Sequence, residues 1–179
     1  MGSDTIVTKA SIRRYKKTLD FIKSHAPHPK TILDLGIENP FSKILKENQY
    51  EVFNTHGEDL DDIPEVLLDF KGIELVTALE IFEHLLNPLS VLKNLPCEKL
   101  IASVPLSLWF AKAYKSKTDK RDRHFHEFED WQFDWLLEKA GWKIIASEKW
   151  TSPSKKLGIR PFLRRITPRY YIIYAERNK

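Results

Sequence analysis

Between residues 8 and 25, Ile12, Tyr15, Leu19 and Ile22 recur at spacings of three and four, which puts them on one stripe of a helix. Pro27 and Pro29 end that helix. Lys30 to Ile37 reads as a buried strand. Asn39-Pro40 opens a second helix, since Asn caps free N–H groups and Pro fits the first helical position; Ile44 and Leu45 face the sheet. "YEVFNT" (50–55) is a second strand, and "GEDLDDIPEVLLDF" (57–70) a polar loop with one helical turn. "IELVTALEI" (73–81) is a third strand, "NPLSVLKNL" (87–95) a short helix, and "KLIASVPL" (99–106) a fourth strand stopped at Pro105. A Trp- and Phe-containing segment and the charged stretch "KSKTDKRDR" follow. Residues 127–140 form a helix with Phe128, Trp131, Trp135 and Leu136 on its apolar face, and Gly141 terminates it. "WKIIASEKW" and "RYYIIYAER" are the last two strands.

Strands alternating with helices predict an α/β fold, a Rossmann-like doubly wound, mostly parallel sheet. A single domain over residues 1–179 is expected. The last two strands are joined by a basic loop with no helix, so one of them runs antiparallel. In open sheets of this kind ligands bind beyond the carboxyl ends of the strands. That rule places Asp34–Asn39, Asn54–Asp59, Ala78–His84 and Pro105–Trp109 along one edge.

Composition narrows the setting. At 179 residues and 42% hydrophobic content the chain can bury a substantial core. The single cysteine, Cys97, precludes an internal disulfide, which fits a reducing compartment. There is no 18-residue apolar run and no apolar leader at the N-terminus. A cytoplasmic protein with no membrane partner is expected. The net charge of +4 is uneven: residues 1–111 hold twelve Lys/Arg against sixteen Asp/Glu, and residues 112–179 hold seventeen against nine. From Lys149 to Arg169 there are seven basic residues and no acid. Such a surface attracts an anionic partner, or is simply a solvated loop.

Five segments, in order and spacing, resemble the class I S-adenosylmethionine-dependent methyltransferases, in particular the type 11 and ubiquinone-biosynthesis-like small enzymes. They are "ILDLG", "DLDDIP", "ELVTALEIFEHLLNPLSVLKNL", "LIASVPL" and "HEFEDWQFDWLLEKAGW". The resemblance covers residues 30–177. It implies a cofactor-binding half, 30–110, an acceptor-side half, 111–179, and S-adenosyl-L-methionine as cofactor. The first loop departs from the family by keeping one glycine, Gly36. The second strand ends in Asn54-Thr55-His56 without the usual ribose-binding acid.

The resemblance implies cofactor contacts from Asp34, Gly36, Glu38, Asn54, Asp59, Ala78 and Leu79. Gly36 permits close backbone approach. Asp34 either orients the loop and meets the cofactor's amino group or merely caps a turn. Glu38 at a helix start repels a pyrophosphate but tolerates a sulfonium and an ammonium, unless it points to solvent. Asn54 bonds the ribose hydroxyls, and Asp59 the adenine amino group. Methyl transfer is an in-line displacement that needs alignment and sometimes proton removal, but no covalent intermediate. Catalytic candidates are His84, His124 and His126, a residue type whose ordinary pKa is near neutral. The H-x-H-E stretch of His124, His126 and Glu127 lacks a third distant ligand with clear spacing, so no metal is expected. Cys97 falls at the far end of the sheet. Tyr114 and Trp109 either wall an acceptor pocket or belong to the core. The acceptor is expected to be a small molecule, with O-methylation ahead of other atoms and an anionic acceptor suited to the basic loop 151–169. A methyltransferase-like protein without catalysis, or an RNA methyltransferase recruited by the basic loop, are the alternatives.

Overall fold

The computed structural model describes residues 9–119, 122–153 and 157–178. In chain order the elements are α1 (Lys9–His25), β1 (Thr31–Asp34), α2 (Pro40–Glu47), β2 (Glu51–Asn54), β3 (Leu75–Leu79), α3 (Pro88–Lys93), β4 (Lys99–Pro105), α4 (Asp130–Lys139), β5 (Trp142–Thr151), α5 (Ile159–Ile166) and β6 (Pro168–Arg177). Short 3₁₀ turns at Pro64–Asp69 and Phe82–His84 fill two of the connections. The six strands form one sheet in the order β2-β1-β3-β4-β6-β5. β1 to β4 are parallel, and β6 runs antiparallel to both β4 and β5. This is the expected α/β architecture with an antiparallel C-terminal strand.

Both faces of the sheet are covered, which explains why the central strands are mainly apolar and do not alternate with polar residues. Successive residues point to opposite faces. Leu33, Val76, Leu100 and Ile173 pack with Phe133 and Trp142, whereas Ile32, Leu75, Ile101 and Ile172 pack with Phe21, Ile22 and Phe41. α1 and α2 therefore cover one face, and α3 and α4 the other.

Three features differ from the sequence expectation. β1 stops at Asp34 rather than Ile37, because Gly36 turns the chain with φ +100°. The face assigned to α4 was rotated: Trp131 and Trp135 are more than half exposed, while Phe133 and Leu137 are fully buried. Indole rings suggested a core face, but their N–H groups and edges tolerate water; Trp131 Nε1 donates to Glu129 at 2.8 Å. Finally, α5 occupies the connection read as a loop. Its Pro161 sits third in the helix, where the N–H has no intrahelical partner, so proline costs no hydrogen bond there.

Candidate functional site

The carboxyl ends of β1, β3 and β4 open onto two cavities of about 330 and 400 Å³. Gly36 and Ile81 line both, so the two form one groove bent over the first turn. The positive φ at Gly36 suits glycine, and a Cβ added there would meet nothing nearer than Ile81 Cδ1 at 3.8 Å. The turn is therefore bare backbone facing open space. It is braced from beneath, as Gly36 N donates to Thr55 Oγ1 at 2.9 Å and Leu35 N to the Thr77 carbonyl at 2.9 Å.

Asp34 builds this turn. Its carboxylate accepts from Thr77 Oγ1 (2.7 Å), Ser42 Oγ (2.7 Å) and Asn39 Nδ2 (3.0 Å). Burial pushes its carboxyl pKa up, and those donors act against the shift. Asn39 in turn caps α2 by accepting from Phe41 N and Ser42 N. Asn54 Nδ2 donates to the carbonyls of Asp34 (2.9 Å) and Gly36 (3.2 Å), and so ties the end of β2 to the same turn. The Asp34 carboxylate and the Asn54 amide nitrogen thus hold the loop.

Glu38 leaves the groove. It pairs with Lys46 at 2.9 Å on the half-exposed surface, and the Lys46 ammonium holds its carboxyl below the usual range. The solvent-facing alternative describes it, and its charge carries no information about the cofactor. Ala78 is fully buried in the core and lines neither cavity, because β3 continues one residue past it before opening. Leu79 does line the 330 Å³ cavity, and Asp59 lines the 400 Å³ one. Asp59 Oδ1 also accepts from Asp61 N at 3.1 Å.

Two residues unassigned from sequence stand inside the groove. Glu80 directly follows β3 with φ +58°, a left-handed conformation that costs a non-glycine residue about 1–2 kcal/mol. Strain of this kind persists where the surroundings enforce it and clusters at functional sites. Here Glu80 N donates to the Ser103 carbonyl and Ser103 Oγ to Glu80 Oε1, both at 2.9 Å. Arg14 reaches from α1 to within 3.5 Å of Glu80 Oε2, with its guanidinium 5.1 Å from the Tyr170 ring centroid. Burial raises the Glu80 carboxyl pKa, with Arg14 acting against that rise. A fixed cation and a fixed anion thus sit side by side in one cavity.

Beyond Glu80 the chain gathers histidines. The rings of His84 and His124 meet edge to face at 4.9 Å. His84 Nδ1 is 3.0 Å from the Arg123 carbonyl, which makes it the donor, and His124 Nδ1 is 2.8 Å from Glu127 Oε1. Glu83 lies beneath them. Ligand atoms of Glu83, His84 and His124 fall within 4.8 Å of one another. Glu83 Oε2 is buried with no hydrogen-bond partner among the described residues. Burial, reinforced by the charge of Glu80, pushes the Glu83 carboxyl well above the usual glutamate range. This candidate cluster differs from the 124–127 set read in the sequence: it keeps His124 and adds His84 and Glu83 from the far side of the chain. His126 stays apart, its ring stacked on Phe128.

A third cavity, about 300 Å³, lies between the 105–115 segment and α5. Tyr114, His124 and Glu127 line it together with Lys112, Lys115, Arg164 and Arg169. Trp109 is not a wall; it is 79% exposed. Cys97 is buried away from this rim, its thiol donating to the Lys99 carbonyl at 3.1 Å, and burial raises its pKa. Lys155 and Lys156 lie outside the described residues.

No family model matches the sequence, and no curated protein matches it. Solved structures do match the fold. One is 1,6-didemethyltoxoflavin-N1-methyltransferase of Burkholderia thailandensis with bound 1,6-didemethyltoxoflavin and S-adenosylhomocysteine. It is 15% identical at a TM-score of 0.65 over 98% of this chain and 82% of that one. A putative methyltransferase of Haloferax volcanii, in complex with the Trm112 methyltransferase activator, is 13% identical at 0.65 over 96% and 92%. The methyltransferase domain of bacterial CtHen1 is 18% identical at 0.59 over 94% and 100%. The fold is that of the class I methyltransferases.

Within this methyltransferase fold the groove over Gly36 occupies the place where ligands of open α/β sheets bind. Arg14 was hidden in the sequence because its helix was read for its apolar stripe. Glu80 carried a legible sign: it is the lone acid directly following the apolar run of β3.

Proposed function

We propose that this protein transfers a methyl group from S-adenosylmethionine to a small anionic acceptor. The observation that carries the reading is the Arg14–Glu80 pair beside the bare Gly36 turn in one cavity. S-adenosylmethionine supplies an electrophilic methyl on a sulfonium and carries an α-amino-acid end. Arg14 and Glu80 are complementary to the carboxylate and ammonium of that end. Gly36 lets backbone approach the ligand. Asp59, on the acidic wall of the adjoining cavity, accepts from an adenine amino group.

The acceptor fits the 300 Å³ cavity, where Lys112, Arg164 and Arg169 favour a carboxylate or phosphate. Glu127 accepts the Nδ1–H of His124 and leaves Nε2 free to take a proton, the orienting arrangement of a general base. A base of this kind favours a hydroxyl acceptor. A second reading makes the transfer cation-assisted, because the orphaned Glu83 Oε2 beside two imidazoles fits a divalent ion. Such an ion polarises an acceptor oxygen. Manganese binding followed by electron paramagnetic resonance, lost in Glu83→Gln, supports it; no binding removes it.

Titration calorimetry with S-adenosylhomocysteine tests the main reading. Micromolar binding weakened about tenfold or more by Arg14→Gln is expected, the loss of one charged hydrogen bond. A folded protein that binds nothing up to millimolar ligand overturns it and favours a methyltransferase-like protein without catalysis.

A further inference from the structure

α5 is turned inside out relative to an ordinary amphipathic helix. Ile159, Phe162, Leu163 and Ile166 recur at spacings of three and four, an arc about 100° wide at 3.6 residues per turn. A surface helix normally sets such an arc against the core. Here Ile159 is 80%, Phe162 59% and Ile166 61% exposed, and no residue of α5 is buried. Leu157, just before the helix, is also exposed. The flanks of the arc are basic, with Arg160 on one edge and Arg165 on the other, both exposed. Arg164 faces the 300 Å³ cavity instead. α5 packs on β5 and β6, with Leu163 part-buried, and leaves the rest of its apolar arc uncovered among the described residues.

We infer that α5 lies in the plane of an anionic lipid bilayer and docks the protein on it. A bilayer surface supplies both halves of what the helix presents: acyl chains for the arc and anionic headgroups for the arginines on its two edges. No acid interrupts the sequence from Lys149 to Arg169. A nucleic acid would engage the arginines but leave Ile159, Phe162 and Ile166 in water. The 105–115 segment, which lines the cavity together with Arg164, carries the exposed Trp109, a residue type that collects at membrane–water interfaces. Among the described residues no helix is long and apolar enough to cross a membrane. Lying on one needs no spanning helix, only the apolar arc and basic flanks of α5. The inference does not depend on methyl transfer.

Co-sedimentation with phosphatidylcholine vesicles, with and without half phosphatidylglycerol, tests it on the full chain. Wild type binds the anionic vesicles at least tenfold more tightly than the neutral ones. Phe162→Glu with Ile166→Glu abolishes binding, and Arg160→Gln with Arg165→Gln weakens it about tenfold or more, since each basic residue near such a surface is worth about fivefold. These side chains are exposed, so thermal melting and S-adenosylhomocysteine binding stay at wild-type values and separate this test from the catalytic one. Absence of wild-type binding to anionic vesicles overturns the inference. So does anionic binding that survives the double glutamate variant. Binding to an RNA oligonucleotide that depends on Arg160 and Arg165 but not on Phe162, without vesicle binding, replaces it with a nucleic-acid surface.

Discussion

Replacing Glu80 by glycine separates strain from function at one position. The residue holds φ +58° directly after β3, and a left-handed conformation costs a side-chain-bearing residue about 1–2 kcal/mol. Glycine relieves that cost but adds about 0.4–1 kcal/mol through the greater freedom of the unfolded chain. The variant also loses the 2.9 Å bond from Ser103 Oγ, worth about 1 kcal/mol. Its pair with Arg14 at 3.5 Å is partly exposed and contributes at most about 1 kcal/mol. The opposing contributions nearly cancel, so the melting temperature of Glu80→Gly stays within about 4 °C of wild type, at 2–4 °C per kcal/mol for a chain of this size. Glu80→Gln keeps the strain and the Ser103 bond and loses only the charge, at most about 1 kcal/mol, so it should melt close to Glu80→Gly. Both variants should bind S-adenosylhomocysteine about 10- to 100-fold more weakly, as loss of a charged hydrogen bond costs about 1.5–3 kcal/mol. Scanning calorimetry and ligand titration on the three proteins give the answer. A Glu80→Gly protein that melts far below Glu80→Gln, or that binds the ligand like wild type, refutes the assignment of Glu80 as a strained ligand-binding residue.

Two further outcomes follow from the packing and the charges. Phe133→Ala should cost about 3–5 kcal/mol in urea unfolding, because its ring is fully buried against Phe82 and Phe128, whereas Trp131→Ala should stay within about 1 kcal/mol; the reverse order would restore the helix face read from sequence. Asp134 accepts a 2.7 Å bond from Tyr171, and burial raises its carboxyl pKa, so the folded chain holds its proton more firmly than the unfolded chain. Its contribution to stability is complete below the ordinary aspartate pKa of about 3.9 and is lost as pH rises through the folded value. Asp134→Asn should therefore melt slightly above wild type at pH 7, by well under 1 kcal/mol because solvent screens the site, with the difference vanishing by about pH 3.5; a difference that grows on acidification contradicts this sign.

The order of strands and helices was legible in the chain because burial on both faces of a central sheet leaves a mark at every residue. The mainly apolar stretches Ile32–Leu35, Leu75–Leu79 and Leu100–Val104 mark buried strands, and Asn39-Pro40 fixes a helix start through its own side chain. Gly36 was legible for the same local reason, since its φ is a property of one residue. The roles of Asp34 and Asn54 were not, because an acid at a strand end looks alike whether it meets a ligand or three hydroxyl and amide donors from Thr77, Ser42 and Asn39. Long-range pairing decided the rest. Arg14 meets Glu80 from 66 positions away, and His84 meets His124 across 40, with no periodicity to announce either. The inverted face of α5 was equally hidden: its amphipathic spacing is written in the sequence, but which side of a helix faces the protein is settled only when the sheet it could cover is already occupied.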